Sequence, residues 1–397
     1  MPDEQPDVRT LLALAGLPTV AGREARVVRF LDEWLAQRPA LVRTTDDAGN
    51  LLILHRDATE SPVLFTAHLD HPGFVIDAIA GERAATLSFL GGVHAHYFED
   101  ARVTLYPADP DSGTAPVGAT ITARKEPDPP ARLYRSCTIE TDAPLDGFAP
   151  GDIAVWELPE PELDFDGVVH ARACDDLAAL AAALDALDQI QDTDAAPRAG
   201  LLCTRAEEVG FIGAIAACKL GTIPPGARLL ALENSRSFPD SPIGGGPIVR
   251  VGDRLSTFSP TLNAAVARCA QRLEGVTDPD VGRPKITAET AFKWQRKLMP
   301  GGACEATAYH AFGHESTCIC LPLGNYHNMA GLSEYEEAVK AKREPVAVLE
   351  REHIALDDYL GLVRLLVACA QNLETAEPII DRLEKLYNER KDVLDTP

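Results

Sequence analysis

The chain has 397 residues, 46 % hydrophobic and 24 % charged, which are the proportions of a soluble globular protein with room for about two domains of roughly 150 residues. Its net charge of −23 argues against nucleic acid and anionic membrane surfaces, both of which attract basic patches, and suits a divalent cation better than a polyanion. The acidic start "MPDEQPDVRTLLALAGLP" lacks the basic and apolar regions of a secretory signal, and no apolar run is long enough to span a bilayer.

Residues 8–39 read as two helices around a Pro/Gly break, the second with Val27, Val28, Leu31, Trp34 and Leu35 at helical spacing. "NLLILHR" reads as a strand. "SPVLFTAHLD" reads as another, apolar throughout until it ends in His68 and Asp70, as a strand buried on both faces does. From about 73 to 165 helical periodicity stops. Short β-like runs ("ARVTLYP", "ATITAR", "SCTIET", "DIAVWEL") alternate with Pro, Gly and Asp. This stretch reads as a small all-β, barrel-like domain, 73–165, inserted into a catalytic α/β domain formed by 1–72 and 166–397.

The return segment alternates again: "VVHARACDD" strand, "LAALAAALDALDQIQ" helix, "GLLCTRAEE" strand, "FIGAIAACKL" helix, "ARLLALEN" strand. A helix at 260–273, a strand at "ESTCICLPLG" and C-terminal helices follow. The expected fold is α/β, with a mostly parallel or mixed sheet flanked by helices. The nine cysteines show no CxxC pair and no zinc-finger spacing, and read as reduced, buried thiols of a cytoplasmic protein; Cys318 and Cys320 would share one face of a strand.

Ligands of open α/β sheets bind beyond the carboxyl ends of strands. His68 and Asp70, Asp175 and Asp176, Glu207 and Glu208, Glu233, and His327 all fall at such ends. Each has a plain explanation on its own. A lone His is structural, "DD" before a helix is a capping pair, and "EE" is a solvated edge. Their coincidence at five strand ends of one inferred sheet points instead to a metal site, because the cluster would repel itself if empty. Imidazole nitrogen with carboxylate oxygen suits zinc, cobalt or manganese better than calcium.

These residues also carry a resemblance. "TAHLDHPGF", "ARACDDLAAL" and "RAEEVGFIGA" resemble, in order and separation, the His-x-Asp-x-x-Gly-Phe, Ala-Leu-Asp-Asp and Glu-Glu-Val-Gly-x-x-Gly-Ala segments of the M42 metallo-aminopeptidases. The likeness runs from near residue 10 to about 330 and includes the place of the inserted β domain. It implies a di-metal hydrolase of short peptides. Asp175 would bridge two divalent ions, zinc or cobalt and in some cases manganese. His68 and Glu233 would complete one ion's ligands, Glu208 and His327 the other's. Glu207 would be the general base, Asp70 would accept the free N–H of His68, and Asp176 would shape the turn after Asp175. It also implies a homo-oligomer.

Three departures from the family pattern stand out. Glu233 replaces the usual Asp, "GGACEATAY" with Cys304 and Glu305 replaces Gly-Thr-Asp-Ala, and "GNYHNM" lacks the Arg before Tyr326 and His327. Two other readings remain open. One is an M20-like carboxypeptidase or N-deacylase in which Arg236 or Arg250 holds a terminal carboxylate. The other is a silent relative that serves as a binding or assembly protein. His94 and His96, on one face of an inferred strand, and His310 and His314, at helical spacing, read as packing or surface residues. Cys304 reads as a buried thiol rather than a nucleophile.

Overall fold

The computed structural model describes residues 7–60, 62–129, 134–275, 292–374 and 379–395. Eight strands form the main sheet, in the order Leu41–Thr45, Leu51–His55, Ala199–Thr204, Val63–His68, Arg228–Arg236, Glu315–Leu323, Ile248–Gly252, Gln295–Leu298. The four inner strands, Ala199–Thr204 to Glu315–Leu323, are mutually parallel; the joins to Leu51–His55 and to Ile248–Gly252 are antiparallel. Val63–His68 and Ala199–Thr204 are buried at every position, which explains their unbroken apolar runs.

One face of the sheet is covered by the helix Leu177–Ile190, whose run of alanines allows close approach both to the sheet and to the helix Leu356–Asn372. The two expected N-terminal helices are Arg9–Ala15 and Ala25–Ala36, the latter burying Val27, Leu31 and Trp34. "VVHARACDD" departs from the expectation. Val168–Ala171 belongs to a separate three-stranded antiparallel sheet with Glu162–Leu163 and Glu352–Ala355, so Asp175 follows a strand of this second sheet.

The β-rich stretch closes a six-stranded barrel: Gly73–Gly81, Ala84–Leu90, Arg135–Thr141, Val117–Lys125, Arg102–Tyr106 and Ile153–Trp156. Inward-facing aromatics fill it. Phe74 meets Phe89 and Trp156 edge-to-face at 4.9 Å in each case, and Phe98 closes the cluster. Met329, Leu332 and Tyr335, from the segment after His327, join the same core and tie that segment to the barrel.

Candidate active site

Parallel register gathers the site at one edge of the sheet. Thr204 pairs with His68, and Ala231 pairs with Thr66, which brings Glu233 to the level of His68 on the adjoining strand. The strand Glu315–Leu323 leads directly into Gly324–His327.

The turn that carries Glu207 and Glu208 is held from two sides. It lies between Ala206 (φ 54) and Gly210 (φ 110), left-handed backbone that a non-glycine residue adopts only when its surroundings impose it. In front, the fully buried Asp70 carboxylate accepts the Glu207 N–H at 2.9 Å and the Glu208 N–H at 3.1 Å. Behind, Glu24 accepts the Ala206 N–H at 3.2 Å and pairs with Arg205 at 2.8 Å.

Asp175 sits between two imidazoles. Its Oδ1 lies 3.5 Å from His68 Nε2 and its Oδ2 lies 3.5 Å from His327 Nε2, while His327 Nε2 is 3.4 Å from Glu208 Oε1. The other ring nitrogens face carbonyls: His68 Nδ1 is 3.1 Å from that of Asp70, and His327 Nδ1 is 2.7 Å from that of Gly92 in the barrel. Carbonyls only accept, so they favour a proton on Nδ1 and leave the Nε2 lone pairs aimed at carboxylate oxygens. Facing acceptors need positive charge between them. Protons alone would also serve: burial pushes the His68 ring down, but Asp175 and Asp70 outweigh it and raise it well above its ordinary value.

Divalent cations fit this arrangement. Two ligand atoms about 2.0–2.1 Å from one tetrahedral ion stand about 3.3 Å apart, close to the separations here. Three overlapping groups bring their donor atoms within 4.8 Å of one another: His68–Asp175–Asp176, His68–Glu207–Glu208 and Asp175–Glu208–His327. His68 Nε2, Asp175 Oδ1, Asp176 Oδ1 and Glu208 Oε1 are buried without a hydrogen-bond partner, a condition costing about 1–3 kcal/mol per atom unless a cation relieves it. Burial pushes the Glu207 carboxyl well up, whereas for Asp175 the two imidazoles overcome burial and hold it below the usual carboxylate range.

Other residues land differently from the sequence reading. Glu233 falls outside all three groups. It is buried near Asp175, Glu207, Cys304 and His68; burial first, then Asp175, Glu207 and Cys304, raise it well above normal against the opposing pull of His68. Asp176 is no cap for the helix behind it: its side chain makes no capping bond, and its Oδ2 accepts the His68 N–H at 3.3 Å. The Asp175–Asp176 peptide is cis.

His94 and His96 flank and join a 3₁₀ turn, not a strand, and both pack on Tyr335; His96 Nδ1 is 2.7 Å from its hydroxyl. His310 lies in the last turn of the helix Glu305–Ala311 and His314 lies beyond it, so the two do not share a helix face. Arg236 is engaged by Glu336 and Ser333, and the buried Arg250 donates to Ser235 beside Glu233. Cys304 is buried, and all nine cysteines are free thiols.

Sequence reasoning missed three supports. His71 is buried with Nδ1 2.6 Å from the Asp175 carbonyl and Nε2 3.2 Å from Asn328 Oδ1. Glu305 lies under the site with its carboxyl pushed up to about 7 by burial. Glu352 contacts the backbone of both Asp175 and His327.

Two imidazoles at the carboxyl edge of the parallel strands around one carboxylate from the second sheet, with further acids close by, make an α/β fold with a candidate metal site. The chain belongs to the M42 glutamyl aminopeptidase family, whose model matches residues 49–276, more than half its length. Solved structures of the same fold include the TET1 peptidase of Pyrococcus horikoshii, which assembles into a tetrahedron or a large octahedral shell. It is 20 % identical, with a TM-score of 0.69 over 91 % of this chain and 98 % of that one. A TET aminopeptidase from the marine sediment archaeon Thaumarchaeota archaeon SCGC AB-539-E09 is 19 % identical, with a TM-score of 0.70 over 92 % and 97 %. An aminopeptidase from Desulfurococcus kamchatkensis is 19 % identical, with a TM-score of 0.68 over 93 % and 95 %. Among the described residues, no helix is long and apolar enough to cross a membrane.

Proposed function

We propose that this protein removes N-terminal amino acids from short peptides with two divalent cations, zinc or cobalt first and manganese third. The observation that carries the reading is the Asp175 carboxylate, with one oxygen turned to His68 and the other to His327. His68, Asp175 and Glu233 would hold one cation, and Asp175, Glu208 and His327 the other. Asp176, whose donor atom groups with those of His68 and Asp175, would be the alternative to Glu233 as a ligand. Bound there, the cations supply Lewis acidity, making water acidic and polarising the scissile carbonyl.

The chain's own residues do the rest. Glu207, fixed through its N–H by Asp70 but free at its carboxylate, takes the proton of the attacking water and delivers it to the leaving amine. The carbonyls of Asp70 and Gly92 hold the two imidazoles in one tautomer. The surrounding carboxylates pair with the substrate's free α-ammonium, which is why a free N-terminus is expected. We take 73–165 as an inserted unit whose role reaches the site through Gly92, and 1–72 with 166–397 as the catalytic part. The assemblies named for the fold neighbours support a homo-oligomer, and the thiols support a cytoplasmic setting.

The carboxypeptidase or deacylase reading is disfavoured by the engagement of Arg236 with Glu336 and of Arg250 with Ser235, the two guanidiniums that reading would use. Metal analysis with hydrolysis of free and N-acylated dipeptides tests the proposal. Glu207→Gln is expected to lose turnover at least 100-fold with metal content kept, and Glu208→Gln to lose metal first. Equal metal loss in both variants, or activity only on acylated substrates, overturns the assignment.

A further inference from the structure

We propose that Glu352 is a positioning residue for the metal-ligand set: its single carboxylate sets the spacing between Asp175 and His327 by accepting a backbone N–H from each. The inference rests on the metal reading of the site given above. Asp175 and His327 come from segments far apart in sequence, one on the turn after the strand Val168–Ala171 and the other on the loop after the strand Glu315–Leu323. Glu352 Oε2 accepts the Asp175 N–H at 3.0 Å, and its Oε1 accepts the His327 N–H at 2.8 Å. The side chain has no exposed surface.

The strand bearing it is tied to both segments. Ala171 pairs with Glu352 in the antiparallel ladder, and Gly324 and His353 exchange backbone hydrogen bonds at 2.9 and 3.2 Å. The strand thus joins the two segments through its backbone, and the carboxylate adds a direct link between the Asp175 and His327 amides themselves. It also holds the amide of His327, whose backbone is left-handed at φ 54.

Asp70 has the same logic, with its two oxygens spent on the N–H groups of Glu207 and Glu208. The site is therefore held by two buried carboxylates that touch no reacting atom in the proposed chemistry. One sets the Glu207–Glu208 turn, and the other sets the distance from the bridging carboxylate to the distal imidazole. Outer partners of this kind commonly govern metal affinity by 10–100-fold.

Only an acceptor pair of this length serves both amides. Glu352→Gln keeps one carbonyl oxygen but turns an NH₂ group against the other N–H. Glu352→Asp is one methylene too short to reach both. Titration of chelator-stripped full-length protein with Co²⁺ alone, followed by its visible absorption, reads the effect without turnover. Both variants should bind Co²⁺ 10–100-fold more weakly than wild type. The control Ile354→Val trims a buried side chain on the same strand and should leave Co²⁺ affinity within about 2-fold, which separates positioning from loss of stability.

Wild-type Co²⁺ affinity in a folded Glu352→Gln or Glu352→Asp protein overturns the inference, as does an equal loss in Ile354→Val. If Glu352→Gln does not fold, Glu352→Asp decides. Failure of the wild-type protein itself to bind Co²⁺ would instead overturn the metal reading on which this rests.

Discussion

Gly213 offers the sharpest test of how the Glu207–Glu208 turn is held. A Cβ at this position would stand 2.3 Å from the Arg205 carbonyl oxygen, 2.4 Å from the Arg205 nitrogen and 2.7 Å from Asn50 Oδ1, where real contacts stay beyond 3.0 Å. Two of those atoms are backbone, so Gly213→Ala must part the helix Ile212–Leu220 from the strand end by at least 3.0 − 2.3 = 0.7 Å. The movement breaks the Gly213 N–H bond to the Arg205 carbonyl and loosens Asn50, which bonds both residues. Overpacking costs about 1–3 kcal/mol and the lost bond about 1 kcal/mol, for a total of about 2–4 kcal/mol.

Arg205 is two residues from Glu207, the proposed general base, and a misplacement approaching 1 Å at such a group costs on the order of 100-fold in turnover. Gly210→Ala is the matched contrast. There φ is +110 but nothing lies within 4 Å, so only backbone strain of about 1–2 kcal/mol is added. Urea unfolding at constant slope, together with turnover on an aminoacyl amide, compares the two variants. If Gly213→Ala keeps its urea midpoint and more than half its turnover, the packing of that helix does not set the turn.

Glu305 supplies a pH test in metal-free protein. Its folded pKa of about 7 exceeds the ordinary 4.5, so the stability it contributes is complete below pH 4.5 and is lost as pH rises through 7. The loss is on the order of 3 kcal/mol. Glu305→Gln should remove that slope, so its urea midpoint in chelator should gain on wild type between pH 5 and 8; parallel pH profiles would refute this. In the barrel, Phe74→Ala removes the ring that meets Phe89, Phe98 and Trp156, and should cost about 3–5 kcal/mol with a changed near-ultraviolet Trp156 signal.

The parts of the site legible in the sequence were those where local pattern and tertiary role coincide. His68 ends a continuously apolar strand, and Glu207 and Glu208 follow another, because a parallel strand must be apolar until it leaves the sheet. Asp175 was legible too, although its strand belongs to the second sheet. The resemblance in three short segments then gave each acid a role that spacing alone did not. Glu352 was invisible for a physical reason. In "REHIALDD" it looks like one more charge before a helix, and it is buried only because Val168–Ala171, distant in sequence, pairs with its strand. His71 is hidden likewise, its partners being the Asp175 carbonyl and Asn328. The strand reading of His94 and His96 failed because alternation cannot distinguish a strand from a 3₁₀ turn that buries Tyr97 and Phe98 beside it.

The electrostatics of the cluster tie stability to function. Asp70, Asp175, Asp176, Glu207, Glu233, Glu305 and Glu352 are all buried close together. Some of that charge is met within the protein, where Asp70 and Glu352 each accept two backbone N–H groups. Asp175, Asp176 and Glu208 retain buried oxygens with no such answer, and His68 retains a buried nitrogen. Protons can neutralise them, but then the imidazoles become donors and Glu207 is no longer a base. Under the proposed function, cations would answer the same oxygens while leaving the imidazoles as ligands and Glu207 as a base. A ligand that binds only the folded state adds RT ln(1 + [L]/Kd), about 4 kcal/mol at 1,000 Kd. The acids that make the metal-free fold costly are therefore the ones that give cation binding its grip, and activity and stability should rise together as the site fills.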